Sequence, residues 1–290
     1  MTTRQAIAAM GQALGPDMVE AARALFDAEQ QALAAAIPAA ACDLAYGPDP
    51  RHRLDLYGTA SGAPKPVLLF VHGGGFLLGD KGDAADPARW VNAAVGRMAA
   101  RNGWIGAVMN YRLAPGHTWP AGSQDVAAAI AFLRAEVASH GGDPQRIVLM
   151  GTSAGAVHVA GYLRMVADHG GPAHDGGIRG AILLSGLYGY TPLDPRDEAY
   201  YGPAADYPAK APREAVVATA LPLLVACAQY DPPRFQAEFL GLMGERLARH
   251  GAMGRALTLP GHTHYTMAMH LGTADRRLET EIAAFIEDIA

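Results

Sequence analysis

A serine flanked by glycines, Gly151-Thr152-Ser153-Ala154-Gly155, follows the apolar run Arg146–Met150 and precedes the helical stretch AVHVAGYLRMVA. A sharp strand-to-helix turn holds such a serine in a strained backbone conformation and lifts its hydroxyl above the sheet edge. Side chains two positions to either side would run into neighbouring backbone, and Gly151 and Gly155 remove those collisions. The helix that follows presents its positive end to the hydroxyl. This is the arrangement of a nucleophile for acyl transfer. The plainer reading is a Gly-rich turn with Ser153 as a helix cap.

A tetrahedral acyl intermediate needs hydrogen-bond donors about 2.7–3.1 Å from its oxyanion. His72-Gly73-Gly74-Gly75-Phe76 follows the apolar run PVLLFV, and successive glycines let backbone N–H groups approach a ligand. Gly74, Gly75 and Ala154 are the expected oxyanion donors, and His72 is expected to brace the loop. A serine hydroxyl also needs a base, and the base an acid to fix its tautomer. With a nucleophile elbow of this kind the acid and base follow the serine in chain order. Asp231 lies just past the run LPLLVACAQ, and Gly261-His262-Thr263-His264-Tyr265 follows the run RALTLP. Either His262 or His264 could be the base, since residues two apart in a loop can face different ways. Asp194, Asp197 and Asp206 are alternative acids of the solvated kind. His158 is expected to pack and His250 to compensate a helix dipole. No metal is expected at His262, His264 and His270, because no carboxylate or Cys accompanies them at ligand spacing.

These groups need a scaffold, and the chain alternates strand and helix patterns. Buried strands are expected over Pro66–His72, Trp104–Tyr111, Arg146–Met150, Arg179–Ser185 and Pro222–Ala228, with Arg53–Tyr57 and Arg255–Leu259 as shorter ones. Helices are expected over Ala88–Arg101, Gln124–His140, Ser153–Asp168, Arg234–His250 and Arg276–Asp288. Repeated βα units imply an α/β fold with a mostly parallel sheet covered on both faces. Residues 1–42 read as a helical cover without a strand: a helix from Arg4 to Leu14, and one from Pro16, suited to a first turn, to Ile37. The catalytic domain is expected over 43–290. Between Gly186 and Leu221 a Pro- and Tyr-rich stretch interrupts the rhythm, and 187–221 is read as a small lid at the carboxyl ends of the strands.

Composition bounds the function classes. The chain has 290 residues, 50% of them hydrophobic, 18% charged, with a net charge of −5. Without a basic stripe it is not expected to bind nucleic acid. No run reaches the ~18 apolar residues of a membrane span, and charges interrupt the N-terminal stretch where a signal peptide would lie. A cytoplasmic location is expected. Cys42 and Cys227 lack CxxC spacing and read as buried thiols.

Three signatures in order, HGGGF, YRLAPGHTWPAGSQD (Tyr111–Asp125) and GGDPQRIVLMGTSAG (Gly141–Gly155), resemble the hormone-sensitive-lipase-like carboxylesterases and the neighbouring arylformamidase-like esterases. The resemblance runs from about Tyr46 to the C-terminus and implies the α/β-hydrolase fold. The Gly-x-x-His-Tyr/Phe pattern of that family falls on Gly261, His264 and Tyr265, which favours His264 as base. Its acid falls on Asp231 and its oxyanion glycines on Gly74 and Gly75. The Glu of the YRLAPEH pattern is Gly116 here, and the stretch between Ser153 and Asp231 is short for a full cap, which points toward the smaller-lidded arylformamidase-like relatives. The resemblance implies no cofactor or metal, and makes a homodimer plausible.

The expected activity is hydrolysis of small, uncharged carboxylic esters through an acyl-enzyme. Phe76, Trp119, Tyr188 and Tyr190, with Tyr200, Tyr201 and Tyr207, are the candidate pocket wall. No cluster of Lys or Arg is present to hold a highly anionic substrate. Cleavage of N-formyl aryl amides and a non-catalytic receptor on the same scaffold are the rival readings.

Overall fold

The computed structural model describes residues 1–83, 86–169 and 177–289. The N-terminal segment forms α1 (Thr3–Met10), α2 (Pro16–Ala36) and β1 (Ala39–Ala45). The chain continues through β2 (Arg53–Tyr57), β3 (Lys65–Val71), α3 (Ala93–Arg101), β4 (Ile105–Met109), α4 (Ala121–Glu136), β5 (Gly142–Thr152), α5 (Ala154–Asp168) and β6 (Ile178–Leu184). After β6 come the short helices α6 (Glu198–Tyr201), α7 (Tyr207–Lys210) and α8 (Arg213–Ala218). β7 (Leu223–Tyr230), α9 (Pro233–His250), β8 (Arg255–Thr263), α10 (Thr266–Met269) and α11 (Arg277–Ile289) complete the chain.

Among the described residues the strands form one eight-stranded sheet in the order β1-β2-β4-β3-β5-β6-β7-β8. β2 is antiparallel to both β1 and β4, and β4 through β8 run parallel. The expected cover of residues 1–42 thus contains part of a strand: β1 crosses that boundary and pairs with β2 at the sheet edge. Its Ala- and Asp-containing sequence, AAACDLA, has no apolar alternation to announce it.

The apolar strands are apolar because both faces are covered. Along β3, Val67, Leu69 and Val71 enter the core shared with Val126, Ile130 and Leu133 of α4 and Val159 and Leu163 of α5. Leu68 and Phe70 enter the opposite core, with Val95 and Met98 of α3 and Leu278, Ile282 and Phe285 of α11. The period-two alternation of strand side chains assigns each residue to one layer.

α1 and α2 pack beyond the end of β8. Ile7, Ala22 and Phe26 join Trp90 and Met269 in a separate apolar cluster. Gln30 Nε2 donates to the carbonyls of Met269 and Leu271 at 2.9 and 2.8 Å, and the Gly15 N–H donates to Tyr265 Oη at 3.0 Å. Cys227 is a buried free thiol, whereas Cys42, on edge strand β1, is exposed, contrary to the sequence expectation. Among the described residues no helix is long and apolar enough to cross a membrane.

Candidate active site

The register of the central strands brings the two glycine-rich turns together. Val71, the last residue of β3, pairs with Gly151 of β5. The His72–Phe76 turn therefore leaves the sheet beside the β5–α5 elbow. Ser153 has φ 53° and ψ −122°, a strained conformation for a residue with a side chain. A Cβ on Gly151 would lie 2.4 Å from the Gly155 carbonyl carbon, and one on Gly155 would lie 2.0 Å from the Val71 oxygen. Both glycines are therefore demanded by backbone contact. A Cβ on Gly73 would come 3.3 Å from Ser153 Cβ, so the triple-glycine turn lies directly over the elbow.

Gly74 and Gly75 have φ values of 135° and 58°, which turn their amides out of the β3 ladder. Among the described residues neither N–H donates to another group, and Ala154 opens α5, where helix amides have no intrahelical acceptor. His72 is fully buried. Its Nδ1 lies 2.6 Å from the Gly73 oxygen, its ring stacks on Tyr111 at 4.3 Å, and its carbonyl accepts from Tyr111 Oη at 3.0 Å. Burial pushes this imidazole down to about 4, so it is a neutral brace for the turn at ordinary pH.

β7 and β8 deliver the remaining groups. Asp231, fully buried, follows β7, and His264 follows β8. His264 Nδ1 is 2.7 Å from Asp231 Oδ1, and its Nε2 is 3.0 Å from Ser153 Oγ. A carboxylate can only accept, so Nδ1 carries the proton and Nε2 is left to accept from the serine hydroxyl. Phe235 lies against the His264 ring at 4.3 Å between centroids. Two further donors hold Asp231 Oδ2: the Ala228 N–H at 2.7 Å and Ser185 Oγ at 2.6 Å. Ser185 follows directly on β6, is buried, and has φ 47°. Sequence reasoning missed it; the polar end of the apolar run IRGAILL was the available signal.

His262 points elsewhere. Its Nε2 lies 3.2 Å from Asp275 Oδ2 and accepts from Arg277 Nη2 at 3.1 Å. His262, His270 and Asp275 do bring ligand-type atoms within 4.8 Å of one another, a carboxylate companion not anticipated from spacing. The two imidazole centroids lie 4.1 Å apart with planes tilted by 34°, and Arg277 already supplies the cation between Asp275 and His262. The alternative acids are engaged locally: Asp197 pairs with Arg234 at 2.9 Å, Asp206 with Lys210 at 3.3 Å, and Asp194 caps the turn that follows it. His158 is packed among Phe76, Tyr111 and Tyr200, and burial pushes it down to about 3. His250 Nε2 lies 2.7 Å from the Val217 oxygen, near the end of α9.

The expected wall residues divide. Phe76 stacks on Tyr200 at 4.6 Å and joins Tyr201, Tyr207, Leu187 and Phe235 in an apolar cluster with Ala154. Trp119 packs against that cluster and lines a crevice with Val157, His158 and Tyr201. Tyr188 and Tyr190 do not face it. Tyr188 lies in the sheet core, and the Tyr190 hydroxyl donates to Glu245 at 2.9 Å beneath Arg213. Glu238, buried on α9, explains the diversion. Its carboxylate accepts from the N–H groups of Tyr188, Gly189, Tyr190 and Thr191 at 2.6, 3.0, 3.1 and 2.7 Å, drawing that segment onto α9.

The BD-FAE family model matches residues 54–170. The chain is 44% identical over 116 residues to the "Probable isoprenylcysteine alpha-carbonyl methylesterase ICMEL1" of Oryza sativa subsp. japonica, covering 40% of this chain and 25% of that protein. It is 35% identical over 158 residues to "Esterase LipQ" of Mycobacterium tuberculosis, covering 51% of this chain and 36% of that protein. The matches thus span about a quarter to a third of those curated relatives' length. The structure of a Pyrobaculum calidifontis esterase superposes with a TM-score of 0.68 at 23% identity, covering 96% of this chain and all of the other. With its mostly parallel sheet and glycine-flanked serine turn, the chain has the α/β-hydrolase fold.

Proposed function

We propose that the protein is a serine carboxylesterase acting on small carboxylic esters. The observation that carries this reading is the unbroken hydrogen-bonded line from Asp231 through His264 to Ser153 Oγ, under a turn with free backbone amides. His264 Nε2 takes the hydroxyl proton as Ser153 Oγ attacks the ester carbonyl. Asp231, already bonded to Nδ1, holds the ring and stabilises its charged form. The N–H groups of Gly74, Gly75 and Ala154 receive the oxyanion, where loss of one donor costs about 10²–10³ in rate. His264 then protonates the departing alkoxide, and water reverses the steps to release the acid.

The aromatic cluster around Phe76, Tyr200 and Tyr201 supports an apolar acyl or aryl subsite, and residues 187–221 serve as its lid. α1 and α2 act as a cover behind the His264 loop. Ser153→Ala is the direct test: hydrolysis of p-nitrophenyl acetate should fall by about 10⁶ with the circular dichroism spectrum unchanged. The wild type should also be labelled at Ser153 by a fluorophosphonate probe. A Ser153→Ala protein that keeps its esterase activity overturns the reading. Assay of N-formylkynurenine beside butyrate esters separates ester from aryl-amide preference.

A further inference from the structure

One charged side chain above the site has no role in the scheme so far. Arg196 stands in the turn Pro195–Asp197, between β6 and α6, and is exposed. The turn's two carboxylates are already used. Asp194 Oδ1 accepts from the Arg196 N–H at 2.9 Å, and Asp197 pairs with Arg234 at 2.9 Å, with Asp194 3.9 Å from the same guanidinium. Among the described residues the Arg196 guanidinium has no acceptor within hydrogen-bond distance and no carboxylate within ion-pair distance, although its charge is felt by the neighbouring Asp197.

Its position is specific. A Cβ on Gly75 would lie 2.6 Å from Arg196 Nη2, 3.0 Å from Cζ and 3.4 Å from Nε. The flat guanidinium therefore rests on the backbone of the triple-glycine turn, where a side chain at residue 75 would exclude it. Gly73, at the other end of that turn, touches Ser153. The same short turn thus touches the nucleophile at one residue and the guanidinium two residues on, with at most about 7 Å of chain between them, so the cation stands at the rim of the site. The surroundings on the apolar side are the rings of Phe76, Tyr200, Tyr201 and Tyr207, which carry no positive charge. A planar guanidinium with free donors matches a carboxylate in bidentate geometry, and a single one is enough for a single charge. The absence of a Lys/Arg cluster argues against highly anionic substrates and leaves monoanionic ones open.

We propose that Arg196 is a specificity-determining residue that binds a carboxylate on the substrate's acyl chain, so that half-esters of short dicarboxylic acids are preferred over neutral esters of the same length. The inference rests on the esterase reading above. Monoethyl glutarate and ethyl valerate differ only in carrying a carboxylate or a methyl group at the chain end, and pH-stat titration follows both. The wild type should favour monoethyl glutarate in kcat/KM. Arg196→Ala and Arg196→Gln should lower the glutarate-to-valerate ratio about tenfold, chiefly through KM, because a charge-assisted bond to substrate is lost. Arg196→Lys should restore part of it, and 0.5 M NaCl should compress the wild-type ratio. A ratio unchanged by Arg196→Ala, whether both esters fall together or neither does, overturns the assignment while leaving the esterase reading intact. If the wild type turns over neither ester and its Ser153 resists the fluorophosphonate probe, the esterase reading fails and this inference falls with it.

Discussion

Ser185→Ala removes one hydroxyl that touches no substrate, and its consequences follow from what that hydroxyl holds. Ser185 Oγ donates to Asp231 Oδ2 at 2.6 Å inside the protein, and Asp231 is fully buried. A buried hydrogen bond to a charged group contributes about 1.5–3 kcal/mol, and the carboxylate keeps only the Ala228 N–H and His264 when it is lost. Unfolding free energy in urea should therefore drop by about 2 kcal/mol. If half of that energy holds Asp231 toward His264, kcat falls by about fivefold. KM should stay put, because the hydroxyl is behind the acid. Ser185→Gly separates the hydrogen bond from backbone strain. At φ 47° a side chain costs about 1–2 kcal/mol that glycine does not incur, so the glycine variant should lose the same kcat yet be more stable than the alanine variant. The measurements are kcat and KM on p-nitrophenyl acetate and urea melts of the three proteins. An alanine variant within twofold of wild type in kcat and within about 0.5 kcal/mol in stability would refute the reasoning.

Two other outcomes are expected. Glu238→Gln replaces one acceptor oxygen of a carboxylate with an NH2 donor facing a row of backbone N–H donors, so stability should fall by about 2–4 kcal/mol in denaturant melts, and the 188–191 amides should exchange faster with deuterium. Acid should destabilise the fold well above the carboxylate range: burial holds His72 and His270 near 4 and His158 near 3, against 6.5 in an unfolded chain. The unfolded chain then binds protons that the folded one refuses, so stability is full above about pH 6.5 and is lost as pH falls toward 4. Urea midpoints measured from pH 7.5 to 4 check this, and a flat profile across that window contradicts it.

The nucleophile turn could be read from sequence because everything that defines it is local. An apolar run, five residues with glycines at the ends, and a helix-forming stretch are contiguous, and backbone sterics alone require that order at residues 151–155. The apolar runs that became β3, β5, β6 and β7 were legible for the same reason: a strand covered on both faces has no polar side to show. What the sequence could not decide were matters of direction between distant segments. His262 and His264 sit two apart with the same chemistry, and only the packing of β8 against Asp231, Asp275 and Arg277 turns one toward Ser153 and the other away. Tyr188 and Tyr190 looked as suitable for a pocket wall as Tyr200 and Tyr201. A buried carboxylate at residue 238, some fifty positions later, pulled the first pair onto α9 and left the second pair to Phe76. The partnership of Ser185 with Asp231 spans 46 residues and leaves no periodic trace. Local chain geometry thus sets which residues can do chemistry, and tertiary contacts decide which of them meet, because hydrogen-bond partners across a sheet are selected by register and burial that no short window of sequence encodes.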